Sequence, residues 1–242
     1  LYRRSHVCVI GIGGVGSWVA EALARTAIGK ITLIDLDDIC ITNTNRQIHA
    51  LDGNIGRSKV EAMAERMRLI NPECQVNEVE DFITRDNIRE LITDEFDYVV
   101  DAIDSAKEKA ALIALCSLRK IPVVTIGGAG GQTDPTKVGV LDLSKTSHDP
   151  LAANVRSFLR RHYGFSKSGR RFAVECVYSS EQLVYPQPDG SVCQYKTNDG
   201  NTRLDCAGGF GAATCVTATF GFVAVSRVLK KLVERAERQG KL

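Results

Sequence analysis

At 242 residues the chain is long enough to bury one good α/β core but short for two independent ones. Its 31 basic residues against 29 acidic ones leave a net charge of only +2, so the total demands no nucleic-acid partner and any such surface must come from local clusters. The eight cysteines, Cys8, Cys40, Cys74, Cys116, Cys176, Cys193, Cys206 and Cys215, include no Cys-x-x-Cys pair, and the sequence does not open on a signal-like stretch. That pattern argues against a zinc site and a disulfide scaffold, and for reduced thiols in a cytoplasmic protein.

Short β-branched runs alternate with helical patterns from the start. VCVIGI at 7–12 predicts a strand, followed by a helix over about Gly16–Ile28, a strand at KITLID (30–35), a helix over about Ser58–Ile70 and a strand at FDYVVDAI (96–103). The second helix carries Val60, Met63, Met67 and Ile70 on one face and stops at Asn71-Pro72, so its period and its stop signal agree. A helix over about Lys107–Leu118 and the strand IPVVTI (121–126) precede the glycine-rich GGAGGQ at 127–132. This alternation predicts a Rossmann-like, doubly wound and mainly parallel sheet with helices on both faces. The nucleotide-binding part should span 1–132, and the remaining 133–242 should form an acceptor part within the same single domain. There the expected elements are a strand near Val138–Leu143, a basic helix over about 151–162, strands near 173–178 and 182–185, a polar loop to about Arg203, and a long C-terminal helix. From Cys206 to Ser226 no residue is charged, which is long enough to cross a bilayer. Its start is mostly Gly, Ala and Thr, however, which favours a buried helix over a membrane span.

GIGGVGS at 11–17 follows an apolar strand and opens a helix. Gly11, Gly13 and Gly16 in that context let the backbone turn tightly and approach phosphate oxygens at the helix N-terminus. Asp35, roughly twenty residues beyond the loop, ends the second strand where ribose hydroxyls are commonly bound. These features point to an adenine nucleotide without separating NAD from ATP. Cations separate them, because cleaving the α–β bond of ATP needs positive charge around the α-phosphate and the departing pyrophosphate. Arg46 lies just after the second strand, and Lys59, beside Arg57, opens the next helix, where cations oppose the helix dipole. The alternative for Lys59 is a solvated basic turn. Asp104, in DAIDS at the end of the strand 96–103, is placed to hold magnesium on the triphosphate, whereas Asp101 is placed to satisfy local backbone donors.

In order, GIGGVGS, LIDLDD (33–38), NRQ (45–47), GRSK (56–59) and DAID (101–104) resemble the ubiquitin-activating-enzyme-like family, which includes the bacterial adenylyltransferases of molybdopterin and thiamine sulfur carriers. The resemblance implies ATP–magnesium binding through the glycine loop, Asp35, Arg46, Lys59 and Asp104. The candidate nucleotide set is Gly11, Gly13, Gly14, Gly16, Ser17, Asp35, Asp37, Asn43, Arg46, Lys59 and Asp104, with Arg46, Lys59 and Asp104 catalytic and Asp104 on the metal. In the second half, GGAGGQTDPT (127–136), DPLAANVR (149–156), LVYP (183–186) and DCAGGFGAAT (205–214) are similar to the tRNA threonylcarbamoyladenosine dehydratase branch of that family. This implies ATP-dependent cyclisation of threonylcarbamoyladenosine next to the anticodon, through adenylation of the threonyl carboxylate. Cys206 matches a cysteine connected in that branch with sulfur relay from a cysteine desulfurase; the alternative is a small buried residue before a glycine turn.

The stretch RSFLRRHYGFSKSGRRF (156–172) is the candidate tRNA surface. Arg156, Arg160, Arg161, Lys167, Arg170 and Arg171 are interleaved with Phe158, Tyr163, Phe165 and Phe172, and cations with exposed aromatics suit phosphates and unstacked bases. The alternative is that the aromatics belong to the core and the charges to a solvated face. The family also uses an arginine upstream of the glycine loop, a part assigned to neither Arg3 nor Arg4, and Ser105 stands where other branches commonly have Asn. A homodimer sharing tRNA between subunits is the expected assembly. The competing readings are adenylation of a ubiquitin-like sulfur-carrier protein, a sulfur-relay docking protein and an NAD-dependent oxidoreductase, the last opposed by Arg46, Lys59 and Asp104.

Overall fold

The computed structural model describes residues 1–186, 191–193 and 211–240. Apolar β-branched runs become the central strands: β1 (His6–Ile10), β2 (Lys30–Ile34), β4 (Tyr98–Asp101) and β5 (Val123–Ile126) are buried along almost their whole length. Strands covered on both faces read as continuous hydrophobic runs, and this is why they stand out in the sequence. β3 (Gln75–Val79) is half-exposed and polar, QVNEV, and the sequence reading passes over it. Beyond residue 132 the same sheet gains β6 (Val138–Asp142) and β7 (Glu175–Ser179). The order is β3-β2-β1-β4-β5-β7-β6, parallel throughout except for the antiparallel edge strand β6. A small separate hairpin joins β8 (Tyr185–Pro186) to β9 (Val192–Cys193) where one longer strand was expected near 182–185.

Helices cover both faces, as a doubly wound sheet requires. α1 (Gly16–Arg25), α2 (Lys59–Ile70) and the long α6 (Thr214–Arg238) pack one face, with Leu23, Met63, Met67, Phe220 and Val228 meeting Val9, Leu33 and Val100. The short α3 (Ile88–Leu91), α4 (Ala106–Arg119) and α5 (Pro150–His162) cover the other. α1 stops at Arg25, three residues before the expected end, where Ala27 adopts a left-handed φ of 58°. α6 begins inside the charge-free stretch, and Val216, Phe220, Ala224 and Val225 are buried against the sheet. Among the described residues no helix is long and apolar enough to cross a membrane.

A second feature fixes the sheet internally. Lys109 on α4 and Asp101 at the end of β4 form an ion pair at 2.9 Å with both side chains almost wholly buried. Lys109 also donates to the Asp101 carbonyl at 3.0 Å, while Thr125 and the Ile103 amide donate to the carboxylate at 2.6 Å and 3.2 Å. Burial pushes the Asp101 carboxyl above the usual range, and Lys109 opposes that shift. On the same face of the sheet Asp149 caps α5, accepting from the Ala152 and Gly128 amides at 2.9 Å and 3.1 Å. A Cβ on Gly127 would lie 1.8 Å from the Asp149 carboxylate, so this close approach needs glycine.

Candidate active site

The sheet order reverses between β1 and β4, and ligands of doubly wound sheets bind in the crevice outside that switch point. The glycine loop lies there. Gly11 leaves β1 with φ +84°, and a Cβ on it would sit 2.7 Å from the Ala102 carbonyl at the end of β4. Gly16, the first residue of α1, has the Gly11 carbonyl 1.7 Å from where its Cβ would be, so the loop closes on itself only with glycine at both ends. The amides of Gly13, Gly14 and Val15 have no acceptor among the described residues, which leaves open donors at a helix N-terminus suited to phosphate.

Asp35 ties β2 to this loop. Its buried carboxylate accepts from the Ile12 amide at 2.6 Å and from the Asp37 amide at 2.9 Å. Burial raises its pKa; Lys59 and these two amides pull the other way. The remaining lone pairs of such a carboxylate suit ribose hydroxyls. Lys59 is neither free nor in a solvated turn: it is buried, and its Nζ lies 2.6 Å from the half-exposed Asp37 carboxylate. The chain places it by pairing Asp37–Ile39 with Gly56–Lys59, through the Lys59 amide to the Asp37 carbonyl and the Ile39 amide to the Arg57 carbonyl. Arg57, just before α2, turns away to Glu61 and Glu65 on that helix.

Arg46 lies over the loop: its Cδ is 3.1 Å from where a Gly14 Cβ would sit. One guanidinium nitrogen, Nη1, donates to the Thr42 carbonyl and to Asn45 Oδ1 at 2.8 Å and 2.9 Å, and the Arg46 carbonyl accepts from Trp18 Nε1. Asn43 and Ser17 face inward. Asn43 Oδ1 accepts from the Cys40 amide at 3.0 Å, and Ser17 Oγ accepts from the Ile48 amide at 3.4 Å, so both oxygens hold the loops in shape. Asp104 is exposed just past β4, and its carboxylate makes no hydrogen bond or ion pair among the described residues. Asp101 does accept a local backbone donor, as its sequence position suggests, but its main partner is Lys109.

Three residues of this crevice have no role in the sequence reading. Gln47 is buried with Oε1 unpaired, its amide nitrogen 3.9 Å from where a Gly13 Cβ would lie. It belongs to the NRQ motif, the one signal available. His49 is 1% exposed with both ring nitrogens unpaired, and burial, then Lys59 and Arg66, hold its pKa down to about 4, so it is neutral. Asn45, also in that motif, contacts Arg46 directly.

The basic stretch lies on and after α5. Arg161, Lys167, Arg170 and Arg171 are exposed, while Arg156 and Arg160 are half-buried, Arg156 donating to the Thr146 hydroxyl and Arg160 stacking over Phe172 at 5.4 Å. A groove of about 360 Å³ runs between Arg156, Arg160, Arg161 and Lys167. The aromatics do not form an exposed platform for bases. Phe172 is buried, and Phe158, Tyr163 and Phe165 pack against the same apolar cluster under α5: the helix period turns Phe158 inward, and the chain folds Tyr163 and Phe165 back beneath the helix after its end at His162. A larger cavity of about 700 Å³ lies at the opposite end of the sheet, lined by the starts of β1, β2 and β3, away from this chemistry. Cys206 lies outside the described residues. Among those residues no group of three or more His, Cys, Asp or Glu could hold a metal ion. Asp104 still suits magnesium, which commonly takes one or two carboxylates and completes its shell with phosphate oxygens and water.

A glycine loop at the switch point, a buried carboxylate tying β2 to it and cations beside the loop define a nucleotide-binding enzyme of the adenylating class, and the chain belongs to the ThiF family, whose model matches residues 2–241. It is 61% identical over 242 residues to the tRNA threonylcarbamoyladenosine dehydratase of Escherichia coli, covering 99% of this chain and 90% of that protein. The Haemophilus influenzae protein of the same name is 56% identical over 234 residues, covering 96% and 87%. Among solved structures, one described as TcdA (CsdL) superposes with a TM-score of 0.90 at 57% identity, covering 98% of this chain and 89% of that one. The E. coli dehydratase in complex with ATP gives 0.87 at 56% identity, with the same coverage. The molybdopterin-synthase adenylyltransferase of E. coli matches only 51% of this chain, at 31% identity, and 49% of its own length.

Proposed function

We propose that this protein uses ATP to dehydrate, and so cyclise, the threonylcarbamoyl side chain of the modified adenosine next to the tRNA anticodon. The convergence of open loop amides, Arg46, Lys59 and Asp104 at one crevice carries the reading, together with near full-length similarity to dehydratases of that name. An oxygen of the threonyl carboxylate attacks the α-phosphorus, the bond to the β-phosphate oxygen breaks, and pyrophosphate leaves. The neighbouring carbamoyl group then attacks the activated carbonyl carbon, AMP departs with that oxygen, and one proton is released as the ring closes. No protein nucleophile is required. The chain's part is to hold and neutralise: loop amides and Arg46 on the phosphates, Lys59 released from Asp37 onto the triphosphate, Asp35 on the ribose. Magnesium held by Asp104 would supply charge neutralisation on the departing pyrophosphate.

The decisive assay compares AMP and pyrophosphate formation with threonylcarbamoylated tRNA, with unmodified tRNA, and with a sulfur-carrier protein ending in Gly-Gly. Turnover confined to modified tRNA is expected; turnover confined to the carrier would replace this reading with the sulfur-carrier one. Asp104→Ala should still bind ATP but release little pyrophosphate. Unchanged turnover of that variant at limiting magnesium would assign Asp104 a structural part instead.

The basic face of α5 and the segment after it is the proposed tRNA surface, reading phosphates rather than stacked bases. Neutralising Arg160, Arg161, Arg170 and Arg171 together should weaken tRNA binding and flatten its salt dependence, with ATP binding barely changed. Filter binding across a salt series checks this, and parental affinity and slope would place the tRNA elsewhere. The reading includes a cytoplasmic homodimer in which two subunits share each tRNA, testable by light scattering with and without tRNA. It also includes docking of a cysteine desulfurase or its sulfur acceptor near Cys206, testable by pull-down with Cys206→Ser.

A further inference from the structure

The placement of Arg46 depends on a residue with no assigned role. Arginine is long and rotamer-rich, so a cation that must meet a developing charge gains from being fixed beforehand. Here Arg46 is held by one nitrogen only. Nη1 donates to the Thr42 carbonyl and Asn45 Oδ1, while Nη2 and Nε make no hydrogen bond among the described residues, Nε lying 3.5 Å from where a Gly14 Cβ would be. The remaining donors therefore stay available on the phosphate-loop side.

Asn45 is in turn held from the far half of the chain. Its Nδ2 donates to the Ala212 carbonyl at 3.5 Å, and its backbone carbonyl accepts from the Thr214 hydroxyl at the start of α6. One residue away, the Gly211 carbonyl accepts from the Gly131 amide at 2.8 Å, in the glycine-rich loop that follows β5. Cys215 Sγ lies 3.8 Å from the Thr133 carbonyl, on the same junction. An exposed side chain whose donor and acceptor reach different segments is not there for core packing.

We infer that Asn45 is a positioning residue: it orients the Arg46 guanidinium over the phosphate loop and ties that orientation, through its side-chain bond to Ala212 and its backbone bond to Thr214, to the glycine-rich loop at Gly131 that follows β5. This inference deepens the adenylation reading and rests on it. Asn45 touches no phosphate itself; it acts through Arg46. Because Asn45 is exposed, its truncation should leave the fold intact, in contrast to the buried polar groups of the site.

The test is a double-mutant cycle on AMP formation with threonylcarbamoylated tRNA, using Asn45→Ala, Arg46→Ala and the double variant, with melting temperature measured on each. Asn45→Ala should lose about tenfold in kcat/KM, the scale of one hydrogen bond to a charged group, at an unchanged melting temperature. In the Arg46→Ala background the same substitution should cost nothing further. Thr214→Val should show the same dependence on Arg46 at about threefold. Full activity of Asn45→Ala, or an equal loss with and without Arg46, would overturn the positioning role. Full activity of Thr214→Val would overturn its anchoring by α6. Parental activity of Arg46→Ala would instead remove the phosphate role of Arg46 and this inference with it, a result separate from the other two.

Discussion

Replacing Lys59 or Arg46 with alanine is expected to lower the adenylation rate by about two to three orders of magnitude, the usual consequence of removing one donor that stabilises developing charge. The structure makes the two losses separable from misfolding. Lys59 is buried, but its partner Asp37 has a half-exposed side chain that water can solvate when the lysine goes. Arg46 holds its loop mainly through its own backbone carbonyl and the Trp18 indole, which the substitution leaves in place. Single-turnover AMP formation, with circular dichroism and thermal melting as controls, measures the effect. Wild-type rates in both variants would leave the crevice without its proposed cations.

Lys109→Met should have the largest effect on stability, about 3–5 kcal/mol at neutral pH, because it leaves the Asp101 carboxylate buried without its cation. Thr125 and the Ile103 amide remain, so the site is not stripped, but neither carries charge. The sign of the pH dependence follows from the raised Asp101 pKa. Without Lys109 the carboxyl's folded pKa rises further above its unfolded value, so the penalty is greatest above that range and shrinks as pH falls and the group protonates. Adding Asp101→Asn to Lys109→Met should recover part of the loss. Urea denaturation of the parent, single and double variants checks this; a single variant within about 1 kcal/mol of the parent would show that the pair contributes little.

Much of the nucleotide half is legible from residues that act locally. The strand–glycine–helix succession, the carboxylate ending β2 and the cations after it are written within short windows, and their backbone consequences follow directly. What escapes depends on contacts made across the chain. β3 lacks an apolar signature because its edge position leaves it half-exposed. The partner of Lys59 emerges only when two loop segments pair, and that of Lys109 only when α4 folds back on β4. Interleaved cations and aromatics look like a nucleic-acid platform in one dimension; in the fold the period of α5 sends Phe158 toward the core and Arg161 to solvent, and Phe172, beyond the helix, returns to the same apolar cluster. The Asn45 contacts join residues more than 160 positions apart, beyond any local pattern.

The insertion of β7 between β5 and β6 also governs how the protein can be made. During synthesis the parallel core through β5 can assemble early, but the open flank of β5, the apolar VVTI segment, gains its permanent neighbour only when β7 emerges about fifty residues later. β6, translated first, does not take that place in the folded sheet, where it pairs with β7 alone. At ordinary translation speeds the nascent chain thus carries an unpaired, sticky sheet margin for several seconds, and α6, which covers the same region, arrives last of all. Slow codons or a stalled ribosome within residues 127–174 would lengthen the time for which that margin stays uncovered.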